Sequence, residues 1–341
     1  MRNRFKNLTD DEKRYIEQQK AAAKSVKKKW AFRRIMTALQ SDMSNSKKLM
    51  VIAKILFIKL RVVPKYFILI ALSIIFIAPF FYMIGHSLMG TQDILNPSIR
   101  WLPRSFNFAN YIYAYQALDY QRYLIRTLWI VGLSVAGQMF FCSFVAYGIA
   151  RIKFKLRGVI FALILFILIV PPQTLVVPNY MLYSDVLEWR NSFLPIIVPC
   201  FFAMGLNGGL IIFVFRQFYK GLPAELENAA LIDGVSVFGA YFRVIIPNAM
   251  PAVLINSILC LVWHWNNSFE PSIYIRDVTL GTLTMQLREV QNRLSSAFDG
   301  IDFNAGIKMA ATMLVLLPIV VIFLALQGRF MKNMASTGLA N

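Results

Sequence analysis

The chain has 341 residues, of which 57% are hydrophobic and 16% charged, and its mean hydropathy is +0.55. Soluble domains sit near half apolar with about a quarter of their residues charged, so this balance excludes an ordinary soluble globule and points to the bilayer. The net charge of +19 would suit nucleic acid, but 18 of the 36 Lys and Arg residues fall within residues 1–65, beside five acids, with no aromatic-interleaved RNA motif. A basic flank drawn to anionic lipid headgroups accounts for that distribution, and no nucleic-acid partner is expected.

Residues 1–48 form a basic arm, partly helical at most and too polar for a secretory signal peptide. The stretch 49–63 is apolar but interrupted by Lys54, Lys59 and Arg61, which predicts an interfacial helix. Crossing a hydrocarbon core of about 30 Å takes roughly 20 apolar residues. Six segments qualify: 66–88, 124–149, 158–182, 193–215, 249–268 and 306–328. The fold class is therefore all-α, a polytopic membrane protein with six transmembrane helices in a domain spanning residues 64–330. A tail of residues 331–341 follows.

Charge asymmetry sets the orientation. The basic N-terminal flank stays in the cytoplasm, as does the loop with Arg151, Lys153, Lys155 and Arg157. Segment 269–305 carries Glu270, Asp277, Glu289, Asp299 and Asp302 against three basic residues, and is expected outside. Both termini are then cytoplasmic. Pro171, Pro172 and Pro178 should break the third span, either as a simple kink or as a hinge. Cys142, Cys200 and Cys260 lie in apolar runs and read as small core residues. His86 and His264 stand alone, so no metal site is expected.

Between spans four and five, Arg216 to Pro247 is not membrane-like. Pro223 suits a first helical turn, and Glu225 and Glu227 favour the positive end of the helix dipole. Leu226, Ala229 and Ala230 share one face, and Gly234 stops the helix. Ser236 can cap a second helix, which Pro247 ends. The pattern is a helix–turn–helix with a small-residue face. It fits either a knob that docks into a partner or an amphipathic helix resting on the membrane.

Asn228-Ala229-Ala230, Asp233-Gly234 and Val244-Ile245-Ile246-Pro247 resemble the EAA motif of ABC importer permeases, with Asn228 where Glu is usual. Trp101-Leu102-Pro103 with Asn110-Tyr111, Ala146 to Arg151, Pro171-Pro172-Gln173, Trp263 to Asn266 and Thr282-Leu283 are similar to blocks of the carbohydrate-uptake branch, in its second, maltose-transporter-type permease. The resemblance covers about residues 65–330. The N-terminal arm is longer than the family's, and the C-terminus lacks its common ending.

The resemblance implies a permease subunit of an ATP-driven importer for a sugar or oligosaccharide. Its partners would be a homologous second permease in a heterodimer, two ATPase subunits, an extracellular solute-binding protein and membrane lipid. The cytoplasmic coupling helix between spans four and five would dock on an ATPase through Glu225, Glu227, Asn228, Ala229, Ala230, Asp233 and Gly234. This chain carries no G-x-x-x-x-G-K-[ST] phosphate loop, so it is expected to be no enzyme and to hold no cofactor. ATP and Mg would belong to the partner ATPases. Trp263, Trp265, Asn266 and Asn267 offer an aromatic platform with amides for a sugar, or an interfacial aromatic belt. A permease for a non-sugar solute and a secondary transporter are the other classes weighed. Against the second stand spans nearly free of acids and no clear internal repeat.

Overall fold

The computed structural model describes residues 45–295 and 304–338. Most of the basic arm, together with Asp299 and Asp302, lies outside the described residues. Every regular element among the described residues is helical, with no strand. Backbone polar groups in lipid must be satisfied within the segment, and an unbroken helix does this.

Helix α1 (Asn45–Ser87) runs without a break through Lys54, Lys59, Arg61 and Pro64. The stretch 49–63 thus continues into the first apolar span as one helix rather than forming a separate element. The described residues up to Pro79 form one unit and those from Phe80 onward a second. In the first, Tyr66, Phe67, Ile68, Ile74, Ile75 and Phe76 are all exposed. Against lipid tails such a surface carries no hydrophobic penalty.

In the second unit, α2 (Thr91–Ile94) and α3 (Ala109–Ala117) precede α4 (Tyr120–Arg151). Helix α4 is the hub, and it buries polar residues along its length: Thr127, Ser134, Gln138 and Ser143. Helix α5 (Arg157–Ile169) buries no residue at all. The chain then bends by 98° into a 3-10 turn (Pro172–Leu175), α6 (Val176–Met181) and a π turn (Leu182–Val186). The bend falls at Pro171 and Pro172, where the sequence led us to expect a break.

Segment 193–215, expected to be a continuous fourth span, is not a single helix. Helix α7 (Leu194–Ile197) passes into a 3-10 turn (Val198–Phe202), and α8 (Gly208–Gly221) begins only after Ala203 and Asn207 take left-handed φ values of 60° and 54°. Non-helical backbone at this depth needs internal partners. Gln138 Nε2 donates to Leu206 O at 2.8 Å, and Cys142 Sγ lies 3.8 Å from both Ala203 O and Gly208 O. A Cβ at Gly205 would stand 2.7 Å from Cys200 Sγ and from Gln138 Oε1, so close approach requires glycine there. His264 Nε2 lies 2.8 Å from the same Gln138 oxygen. Because the Gln138 amide nitrogen is already spent on Leu206, that oxygen accepts and Nε2 carries the proton.

The remaining helices are α9 (Ala224–Ile232), α10 (Val237–Ala240), a π turn (Tyr241–Ile245), α11 (Ile246–Asn248), α12 (Met250–Asn266), α13 (Phe269–Tyr274), α14 (Leu283–Ser295) and α15 (Ala305–Gly338). Pro247 does not end the second helix of the cytoplasmic-type loop. The chain stays helical to Asn248 and bends by 79° before α12. Among the described residues three stretches, Pro64–Ser87, Tyr120–Arg151 and Ala305–Gly328, are long and apolar enough to cross a membrane, and the number rises to five if each bent pair is one span. The interrupted α7–α8 segment occupies the position of the remaining expected span.

Candidate coupling site

Helix α9 begins directly after Pro223, whose φ of −57° and ψ of 134° place it just outside the first turn. Its end is a Schellman closure. Gly234 has φ +79°, its N–H donates to Leu231 O at 3.1 Å, and Val235 N donates to Ala230 O at 3.0 Å. Ser236 then caps α10 by accepting from Gly239 N at 3.2 Å. The chain reverses between two short helices with its terminal donors and acceptors satisfied locally, so the unit holds its shape without burying a core.

No residue of α9 is buried. Leu226, Leu231 and Ile232 are 41%, 38% and 85% exposed, and Glu225, Asn228, Ala229, Asp233 and Gly234 are exposed with them. Glu227 alone turns inward to an ion pair. Tyr147 Oη donates to Glu227 Oε1 at 2.5 Å, and Arg151 Nε lies 3.7 Å from Oε2. The Arg151 guanidinium also donates through Nη2 to the carbonyls of Tyr219 and Leu222, both at 2.6 Å, at the C-terminal end of α8. A cation is favoured at that end of a helix. One turn further along α4, Ser143 Oγ bonds Tyr219 Oη at 2.5 Å and Tyr241 Oη at 2.8 Å. The rings of Tyr147 and Tyr241 lie 5.0 Å apart, so aromatic packing backs the polar contacts.

The helix–turn–helix is thus fastened to α4 from three sides: through Leu222 before it, Glu227 within it and Tyr241 after it. Sequence reasoning brought forward seven residues of α9 and its turn but not Ser143, Tyr147, Arg151, Tyr219 or Tyr241. One signal was available, since Tyr147 and Arg151 are four apart on one helical face at the end of the second span.

The four residues at the end of α12 do not converge. Trp265 is only 1% exposed and packs with Tyr123, Leu283 and Val290, so it offers no open face to a solute. Trp263 packs instead against the α4–α8 core. The exposed Asn266 bonds back to Val262 O, and Asn267 is engaged with Glu270 through both its amide groups. Among the described residues no His, Cys, Asp and Glu gather into a metal-binding cluster.

The described residues thus form an apolar helical body with an exposed helix–turn–helix between α8 and α12. Residues 138–336, more than half of the chain, match the family of binding-protein-dependent transport system inner membrane components, and the chain belongs to that family. Its members are transport subunits rather than enzymes. Over 270 residues it is 28% identical to the arabinooligosaccharides transport system permease protein AraQ of Bacillus subtilis (strain 168), covering 78% of this chain and 92% of that protein. It is 29% identical over 260 residues to the melibiose/raffinose/stachyose import permease protein MelC of the same organism, covering 76% and 89%. A solved structure of a bacterial ABC transporter involved in the import of the acidic polysaccharide alginate shares the fold. Its TM-score is 0.64 at 17% identity, over 85% of this chain and 99% of that one.

Proposed function

We propose that the chain is the permease subunit of an ATP-driven importer and forms half of a translocation pathway for a sugar or oligosaccharide. An extracellular solute-binding protein delivers the solute, a homologous second permease supplies the other half, and two ATPase subunits bind ATP with Mg and power the cycle. The protein sits in the cytoplasmic membrane with six spans, the interrupted α7–α8 segment being the fourth, and both termini lie inside. Family membership supports the importer, and the relatives that transport sugars support the substrate class.

The observation that carries the coupling role is α9 itself. Leu226 and Ala229 are exposed on α9 and Ala230 is half-buried beside them, while Glu227 ties the helix to α4. A helix resting on lipid would need no such anchor. A helix that transmits a push needs one, because a load applied to Leu226, Ala229 and Ala230 must reach the spans without bending the connection. Glu225, Asn228, Asp233 and Gly234 edge the docking face. At the other end of the spans, Trp263 and the exposed Asn266 are the solute-facing candidates, with Asn267 held in place beside them by Glu270.

The test is reconstitution of the assembled transporter with Ala229→Asp or Gly234→Val. The first places an unpaired charge where a partner must approach closely. The second forces a β-branched residue into the left-handed region. The expected result is normal membrane levels with weakened ATPase co-purification or lost stimulation of ATP turnover by the loaded binding protein. If both variants assemble and couple normally, α9 is not the coupling element. A cysteine at Lys153 should be labelled from the cytoplasm and one at Asp277 from outside. Labelling of both from one side would refute the topology.

A further inference from the structure

At the end of α5 that follows the Arg151–Leu156 loop, Arg157 and Arg216 stand on two helices that pack together, α5 and α8. Arg216, on α8, is 9% exposed, and its Cζ lies 3.4 Å above the ring centroid of Phe161. Its Nε is buried without any hydrogen-bond partner. Arg157 opens α5 one turn before Phe161, and residues four apart share a helix face. Its guanidinium is within electrostatic reach of Arg216, so the two cations repel. The ion pairs among the described residues join Arg122, Arg151 and Arg190 to acids, and neither Arg157 nor Arg216 takes part.

A buried cation without a counter-charge is the costly arrangement, and a ring face offsets only part of that cost. An anion would supply the counter-charge, and the local backbone offers donors to one. The N–H groups of Gly158 and Val159, in the first turn of α5, donate to no carbonyl, whereas Arg157 N and Ile160 N bond to Phe154 O and Leu156 O. Outside its own turn, nothing lies within 4 Å of where a Cβ on Gly158 would be, so no other element packs on that side of the turn. Free first-turn donors, the positive end of the helix dipole and a planar guanidinium together suit a phosphate.

The surroundings identify the phosphate's carrier. Leu156, Val159 and Leu163 on this helix are 62%, 57% and 56% exposed, an apolar skirt around the polar site. A headgroup phosphate whose acyl chains run down that skirt satisfies both chemistries at once, and a free anion satisfies only one. We propose that the N-terminal turn of α5, with Arg157 and Arg216, binds the phosphate of an anionic phospholipid at the membrane surface. Naming that surface cytoplasmic rests on the topology proposed above; the binding site itself does not.

The experiment uses the full chain, assembled with its partners, in phosphatidylcholine bilayers with and without phosphatidylglycerol. Lipid retained through mild delipidation is counted by native mass spectrometry. Arg216→Gln and Arg157→Gln should each lower retained phosphatidylglycerol by about fivefold, the worth of one basic residue at a lipid surface, and leave phosphatidylcholine unchanged. Arg216→Lys should recover part of the loss. Arg157 is only partly buried and makes one long bond to Ile152 O, so its variant carries the test if Arg216→Gln does not fold. Equal phosphatidylglycerol retention by wild type and the double variant would overturn the proposal. Displacement of the lipid by inorganic phosphate would overturn it by assigning the site to a free anion. Lost ATPase association with lipid retention intact would do so by assigning the anion to a partner protein. Labelling of Lys153 from outside would move the leaflet but leave the lipid result standing, so the two readings fail separately.

Discussion

Helices α4 and α5 follow each other along the chain, and both contribute to membrane-type stretches, yet they present themselves oppositely. Helix α4 is the least apolar of the three long candidate spans and the most buried of them. Helix α5 reads Arg-Gly-Val-Ile-Phe-Ala-Leu-Ile-Leu-Phe-Ile-Leu-Ile and buries nothing. In water the more apolar helix would be the core. In lipid the tails are as apolar as leucine, so burial follows the need of polar groups for partners. Thr127, Ser134, Gln138, Ser143 and Arg151 pull α4 inward, and α5 is free to face the bilayer. The least hydrophobic span is therefore the one through which the others communicate.

The sharpest way to break this comparison is at the foot of α4. Arg151 and Glu227 are each 12% exposed at the side chain, and the arginine also fills two carbonyls at the end of α8. Arg151→Met should leave a nearly buried carboxylate unpaired and cost about 3 kcal/mol of stability. Thermal unfolding of the purified complex measures this. The control is Arg122→Met, whose ion pair with Asp119 is more than half exposed, and which should change almost nothing. Similar melting of the two variants would mean that the Arg151 contacts are incidental.

Next in size is Gly205→Ala at the interruption of the fourth span. The added methyl would meet Cys200 Sγ and Gln138 Oε1 at 2.7 Å, and overpacking of this kind costs about 1–3 kcal/mol. Its effect should shrink when Gln138 is changed to Ala in the same chain, since that removes one of the two obstructing atoms. A penalty independent of residue 138 would show that the constraint lies elsewhere in the broken segment.

Tyr147→Phe should cost about 1.5 kcal/mol, the worth of one hydrogen bond to a charged group. A double-mutant cycle with Glu227→Gln should return a coupling energy of at least about 0.5 kcal/mol. Additive effects would mean that the two side chains do not hold α9 together. Coupling of ATP turnover to the loaded binding protein should weaken in parallel with stability. Loss of stability alone would leave the anchor structural.

The sequence made some of this legible because the signals are local. Pro223, Glu225 and Gly234 bracket α9 within a dozen residues, and Pro171-Pro172 marks the break in the third span directly. The anchor was not legible, because Tyr147 and Glu227 lie 80 positions apart and nothing in either neighbourhood names the other. The break in the fourth span was hidden for a different reason. Gly205, Asn207, Gly208 and Gly209 stand inside an apolar run whose hydropathy still reads as one helix, and the polar partner that satisfies the break, Gln138, comes from α4. Trp265 was read from its type and place as part of a solute platform or of an interfacial belt, and neither pattern reveals that it fills the core between α4 and α14.

The smallest effect is expected on α5, and it tests the same comparison from the opposite side. Leu163 is 56% exposed in the middle of that helix. In a water-soluble protein a leucine cut to alanine inside a helical core loses a few kcal/mol through transfer and cavity terms. Neither term applies here if the side chain faces lipid: acyl chains fill the vacated volume, and the methylenes removed were in an apolar medium in both states. Alanine is also the better helix former by a small margin. Leu163→Ala should therefore shift stability by less than about 0.5 kcal/mol and leave stimulated ATP turnover at the wild-type level. The same truncation at Ile211, which is fully buried between α8 and α4, provides the contrast, with an expected cost of about 2 kcal/mol or more. A large loss at Leu163 would place α5 against protein in the assembled transporter. The second permease would then be the surface that covers it, and the lipid-facing role drawn from its unburied residues would have to be given up.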